Sequence, residues 1–201
     1  NAYRGKFKDT FKEIAESHNL FKLLGNNHRF RLRLLCAELL FLELEGDFKH
    51  SAFPSLDINS FRRIVEKYKD EISETKIKFF KGNLDFLESS LGMLLTAMTS
   101  RDILPFYLLI SNLRRNKADN SNLKAELAIF CQDFLQQINS FSIYDTIPPK
   151  GMSEKDFEDF LTYKTEGRKA TISDSIEYRF DFMKARFAKS VPYIEKDPKR
   201  L

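Results

Sequence analysis

The residue types that carry chemistry are present in this chain, but not at the spacings that chemistry requires. The three histidines, His18, His28 and His50, share no metal-ligand spacing with one another or with Cys36 and Cys131. No C-x-x-C or H-E-x-x-H occurs, so no metal site is expected. Phosphate-cradling loops of the G-x-x-x-x-G-K-[ST] and G-x-G-x-x-G types are missing, as is a G-x-S-x-G nucleophile elbow. Both cysteines sit in apolar runs (Leu34-Leu35-Cys36-Ala37 and Ala128-Ile129-Phe130-Cys131). Such settings suit small buried hydrophobes in a reducing compartment. Among the carboxylates, Glu43 and Glu45 are two residues apart and so point to different sides of a helix. Asp156, Glu158 and Asp159 stand at a helix start, where acidic side chains favour the positive end of the macrodipole. The expectation is therefore no catalytic residue and no cofactor within this chain. An unrecognised enzyme would need a cleft that joins a cysteine to a histidine, or clustered carboxylates.

Positive charge is the more informative signal. The net charge is only +4, yet residues 4–33 hold eight Lys or Arg against three acidic residues. Arg4, Lys8, Lys12, Arg29, Arg31 and Arg33 are the candidate nucleic-acid contacts, since Lys and Arg at phosphates release condensed counterions. Arg29, Arg31 and Arg33 alternate with apolar residues and cannot share one helical face. Lys184, Arg186, Lys189, Lys196, Lys199 and Arg200 form a second cluster at the C-terminal end. A solvated helix face explains either cluster equally well. The 20 Phe at spacings of three and four read as core stripes rather than base-stacking platforms.

The elements that must position these residues are helices. Seven Gly and six Pro leave few turn makers for an all-β architecture, and 201 residues suit one domain. Apolar periodicity predicts helices over roughly 6–17, 20–24, 28–45, 74–99, 106–115, 123–138 and in two stretches after 153. Asp57 or Ser55 caps a further helix carrying Phe61, Ile64, Val65 and Tyr68. Pro105 is placed in a first helical turn, ahead of Phe106. Asn120 or Ser121 opens the 123–138 helix, and Thr171 or Ser173 caps the last one. The fold class is all-α, an irregular bundle of seven to nine helices. Its main bundle covers 4–139, a Pro148-Pro149 linker covers 140–152, and a C-terminal helical pair covers 153–191. No run approaches 18 apolar residues and no secretory signal is visible, so a cytoplasmic protein without a membrane partner is expected. Asn1-Ala2 fits the remnant of a cleaved tag, which makes the chain read as a fragment of a longer protein.

Several segments together resemble a family. Tyr3-Arg4-Gly5-Lys6-Phe7, Phe21-Lys22-Leu23-Leu24-Gly25, and Arg29-Phe30 leading to Ala37-Glu38-Leu39-Leu40 are similar to the helical region of GmrSD-type restriction proteins. Ser55-Leu56-Asp57 and Ile176-Glu177-Tyr178-Arg179 fit the same pattern. The resemblance implies a DNA-restriction or phage-defence setting, in which this region follows a ParB-like domain with a D-G-Q-Q-R-type nucleotide motif. Many members add an HNH nuclease. This sequence carries neither motif, so no catalytic residue transfers. The expected role is a non-catalytic accessory domain that packs on an upstream ParB-like partner and holds DNA with its basic helices. The alternative is a self-standing helical adaptor that recruits a protein through a hydrophobic groove.

Overall fold

The computed structural model of the chain describes residues 5–24, 29–116 and 122–191. They form nine α-helices: α1 (Lys6–Ser17), α2 (Asn19–Leu23), α3 (Arg29–Glu45), α4 (Ile58–Lys67), α5 (Glu74–Leu91), α6 (Ser100–Arg115), α7 (Leu123–Asn139), α8 (Glu154–Glu166) and α9 (Ser173–Ser190). Short 3-10 segments follow α5 (Gly92–Ala97) and α8 (Gly167–Lys169). The chain is thus an all-α multi-helix bundle. No strand occurs among the described residues, where the only β pairing is an isolated antiparallel bridge between Asp47 and Ala52. No helix among them is long and apolar enough to cross a membrane.

One contiguous core runs from Phe7 to Val191, and aromatic rings dominate it. Phe134 on α7 is a hub, with ring contacts to Phe106, Phe130, Phe160, Tyr163 and Phe182 at centroid separations of 5.2 to 6.2 Å. Most are tilted or edge-on, the arrangement that ring quadrupoles favour. The expected linker is pinned at its start. Lys164 of α8 donates to the carbonyls of Ile138 (2.8 Å) and Phe141, and Phe141 packs on Phe157 at 5.1 Å.

Three helix boundaries differ from the sequence expectation, each for a local reason. The helix expected over 74–99 ends at Leu91, because Gly92 has φ +50°, a conformation that only glycine adopts cheaply. The helix expected from Pro105 begins earlier, at Ser100. Asp102 Oδ2 accepts from the Thr99 backbone N–H (2.9 Å) and hydroxyl (2.7 Å), closing the start of α6 well before the proline. Neither Thr171 nor Ser173 caps α9 with its side chain. Ile172 occupies the cap position, and the Ser173 N–H donates to Ser55 Oγ (3.1 Å) while the Thr171 carbonyl accepts from the Leu56 N–H (2.7 Å). For α7 the cap position is Asn122; the expected openers Asn120 and Ser121 lie outside the described residues. Two other caps are made by side chains, and the Asp57 one matches the sequence expectation. Asp57 accepts from the N–H groups of Asn59 and Ser60, and Ser153 accepts from Asp156 N–H.

Three of these helices build one open face. Backbone bonds from Lys6 and Phe7 N–H to the carbonyls of Lys69 and Tyr68 tie the start of α1 to the end of α4. Phe41 of α3 meets Phe61 of α4 edge-on at 5.3 Å. Glu45 at the end of α3 accepts from Lys67 (2.7 Å) and from the Tyr68 hydroxyl (2.7 Å). With α1 packed along α3 as well, the three helices enclose a groove.

Candidate partner-docking groove

Each helix contributes a row at helical spacing. Phe7 and Phe11 come from α1, Phe30, Leu34 and Ala37 from α3, and Ile58, Phe61 and Val65 from α4. The rows satisfy the i, i+3, i+4, i+7 rule, so they face the same direction on their helices. Deeper members such as Ile14 and Ile64 enter the core. The groove rows do not finish there: Phe30 is 75% exposed, Ile58 66% and Leu34 41%. The space they line is about 560 Å³ and almost wholly apolar. Large apolar residues gathered on an open face mark interaction sites, unlike the scattered ones that any surface carries.

The rim is basic. Lys8 and Lys12 of α1, Arg33 of α3 and Arg62 of α4 line the groove, and among the described residues no acidic one does. Arg33 is paired with Glu16. Among the described residues Lys8, Lys12 and Arg62 have no ion-pair partner, although salt bridges are frequent elsewhere on the surface.

Of the candidate nucleic-acid contacts, Lys8, Lys12 and Arg33 are therefore brought together, around an apolar floor. Arg31 is exposed but does not line the groove. Arg4 and the side chain of Arg29 lie outside the described residues. Sequence reasoning missed Arg62 and Ile58, and it placed Phe30 in the core. The available signal was Ile58 standing directly behind the Asp57 cap, apolar yet in the first turn of a helix whose core stripe begins later. In the C-terminal cluster, Arg186 is neutralised by Asp156 (2.7 Å) and Asp159 (3.5 Å), and Lys184 lies 3.7 Å from Asp181. Lys196, Lys199 and Arg200 lie outside the described residues.

Beside the groove, next to Ala37 and one turn on from Leu34, Glu38 is half-buried. Burial pushes its carboxyl from the ordinary 4.5 up to about 7. The folded state then holds a proton that the unfolded chain has already released, so this group lowers stability as pH rises from about 4.5 through 7. Glu38→Gln removes that term. Relative to the wild type it should be more stable at pH 8 by about 1–3 kcal/mol and close to equal at pH 4.5. Urea denaturation at the two pH values checks it, and an unchanged difference between them would contradict the shift.

The fold also juxtaposes His18 with Asp85 and Glu88, a group too far apart in sequence for spacing to reveal. His18 Nδ1 accepts from the Leu20 N–H (3.2 Å), capping α2, and this assigns the ring proton to Nε2, which faces Asp85 Oδ1 at 3.0 Å. A metal on Nε2 would require the proton on Nδ1 and orphan the Leu20 N–H. The cluster reads as a polar clasp between α2 and α5. Both cysteines are buried. Burial raises both thiols, Cys131 to about 12, which leaves them protonated and poor nucleophiles at neutral pH.

Of the positions that carried the family resemblance, Phe7, Phe21, Leu39, Leu40, Leu56, Ile176 and Arg179 are buried, whereas Lys6, Lys22 and Asp57 are exposed and Phe30 stands on the groove floor. The buried ones hold helices together. Tyr3, Arg4 and Gly25 lie outside the described residues. No family model matches the chain, and no characterised protein or solved structure is significantly similar to it.

Proposed function

We propose that the chain is a non-catalytic helical interaction module that seats a protein partner in the α1/α3/α4 groove. The observation that carries this reading is the open apolar floor formed by Phe30, Leu34 and Ile58, which is left in solvent at a site shaped by three helices. Removing such surface from water contributes roughly 25 cal/mol per Å². The role suits an accessory domain that packs on a ParB-like nucleotide-binding domain in a GmrSD-type restriction protein, the setting implied by the sequence resemblance. It suits a self-standing adaptor as well. Duplex DNA is the weaker partner for this face, because a phosphate backbone offers nothing to an apolar floor.

A helical peptide of about 16 residues, with Leu at i, i+3, i+4 and i+7 and Gln elsewhere, tests the reading. Its binding should shift the amide resonances of α1, α3 and α4. It should weaken about tenfold or more in Leu34→Asp and in Ile58→Asp, exposed positions that a folded chain tolerates. Absence of binding, or binding by both variants as tight as by the wild type, would overturn the proposal.

A further inference from the structure

The groove discriminates among partners by charge. We infer that its occupant is an amphipathic helix with acidic residues flanking its apolar row; this rests on the groove being a docking site at all. Lys8 and Lys12 stand one turn apart on α1, Arg62 stands on α4, and Arg33 on α3 completes the ring. Among the described residues three of the four lack an ion-pair partner, and the lining holds no carboxylate. Like charges gathered around an apolar site repel one another until an opposite charge arrives.

The shape selects a helix. From Phe30 to Ala37 the floor runs about 10 Å along α3, two helical turns at 1.5 Å per residue. Anchors at i, i+3 or i+4, and i+7 of an entering helix cover that distance. Residues beside those anchors, on both flanks, then meet the α1 and α4 rims. Glu and Asp there place their carboxylates opposite Lys8, Lys12 and Arg62, whereas Lys there adds to a positive rim. Rim charges set specificity and association rate more than total affinity. The groove therefore tolerates variation in the apolar row and rejects basic helices.

The experiment uses the full chain with three versions of the helical peptide, identical in their Leu row and flanked by Glu, Gln or Lys. The Glu version should bind about tenfold or more tighter than the Lys version at low salt, with the gap narrowing as salt is added. The Lys12→Glu, Arg62→Glu double variant should invert that order, and its unchanged helical circular dichroism and melting temperature establish that it is folded. Equal binding of all three peptides, still lost in Leu34→Asp, overturns the acidic partner while leaving the groove as a docking site. Binding of none overturns both. Two controls identify rival occupants. If the acidic peptide fails to bind and a duplex oligonucleotide or phosphatidylserine vesicles bind, with sensitivity to Lys12→Glu and Arg62→Glu, the ligand is a phosphate surface and the inference falls. A dimer in sedimentation equilibrium that Leu34→Asp dissociates would assign the groove to a second copy and overturn it equally.

Discussion

Arg179→Ala should destabilise the fold by about 3 kcal/mol or more, and Arg179→Met by about 2 kcal/mol, since Met fills most of the cavity but donates nothing. Arg179 is only 2% exposed. Its guanidinium lies over the Tyr163 ring at 4.7 Å, donates to the Tyr163 hydroxyl (3.2 Å), and donates to the Arg101 carbonyl (2.7 Å). Among the described residues it has no carboxylate partner at ion-pair distance. The reason that carbonyl is available lies four residues on, at Pro105. A proline has no N–H, so inside α6 it leaves the carbonyl of residue i−4 without its helical partner. Arg179 supplies the missing donor from α9 and thereby fastens α9 to α6 and α8.

This coupling predicts more than a destabilised variant. Pro105→Ala restores a backbone N–H opposite the Arg101 carbonyl, so Arg179→Met should cost less in that background, by about 1 kcal/mol. Urea-denaturation free energies of the four proteins in the cycle decide the matter. Strict additivity would show that Pro105 and Arg179 act independently.

The same pair shows what the sequence makes legible. Helical spacing is a local property, so α1, α3, α7 and α8 can be located from their apolar rows. Pro105 invites placement at a helix start because isolated rules put proline there. Its actual place depends on a residue 74 positions later that satisfies the freed carbonyl. The groove was hidden for a similar reason. Phe30 and Phe41 lie on the same helix and look alike in sequence, yet Phe41 is covered by Phe61 while Phe30 is 75% exposed. Which apolar row of a helix is covered depends on its neighbours, and that is a tertiary fact. The basic rim was half visible: Lys8, Lys12 and Arg33 stand out by charge, whereas Arg62 joins them only when α4 folds against α1. Glu43 was the least legible residue. A carboxylate inside the run Leu39–Leu44 demands buried donors, and these come from elements 40 to 72 residues away.

Glu43→Ala should be the most damaging single substitution in the α3/α5/α6 junction, at about 3–5 kcal/mol. The carboxylate, 4% exposed, accepts from the Tyr107 hydroxyl (2.5 Å), Ser111 Oγ (2.8 Å) and Asn83 Nδ2 (3.2 Å), and from the Arg115 guanidinium. Asn83 in turn accepts from Arg114 (2.6 Å), which fixes its amide orientation, and Gly82 leaves the room for Arg114 beside α5. Burial and the neighbouring Glu43 carboxylate raise the Tyr107 phenol well above its ordinary range, so it remains a donor at neutral pH. Arg115 is also stacked over Phe48 and Phe79, at 4.5 and 4.9 Å. Truncating Glu43 takes the carboxylate acceptor from all four donors at once, and three of them are buried, while the fourth, the Arg115 cation, keeps its bonds to Ser111 Oγ and the Glu43 carbonyl. Glu43→Gln keeps an acceptor and should cost about half as much. A variant that also removes two of the four donors, Glu43→Leu with Tyr107→Phe and Arg115→Met, should recover about 2 kcal/mol over Glu43→Ala, because only Ser111 Oγ and Asn83 Nδ2 are then left without their acceptor. Thermal and urea unfolding of these proteins measure the order. If the triple variant were the least stable, the network would be a net source of stability rather than a device that fixes register. In either case the network anchors the C-terminal end of the helix whose opposite end forms the groove floor. A folded Glu43→Gln protein should therefore bind the acidic peptide as tightly as the wild type, which separates the lock on α3 from the surface that α3 presents.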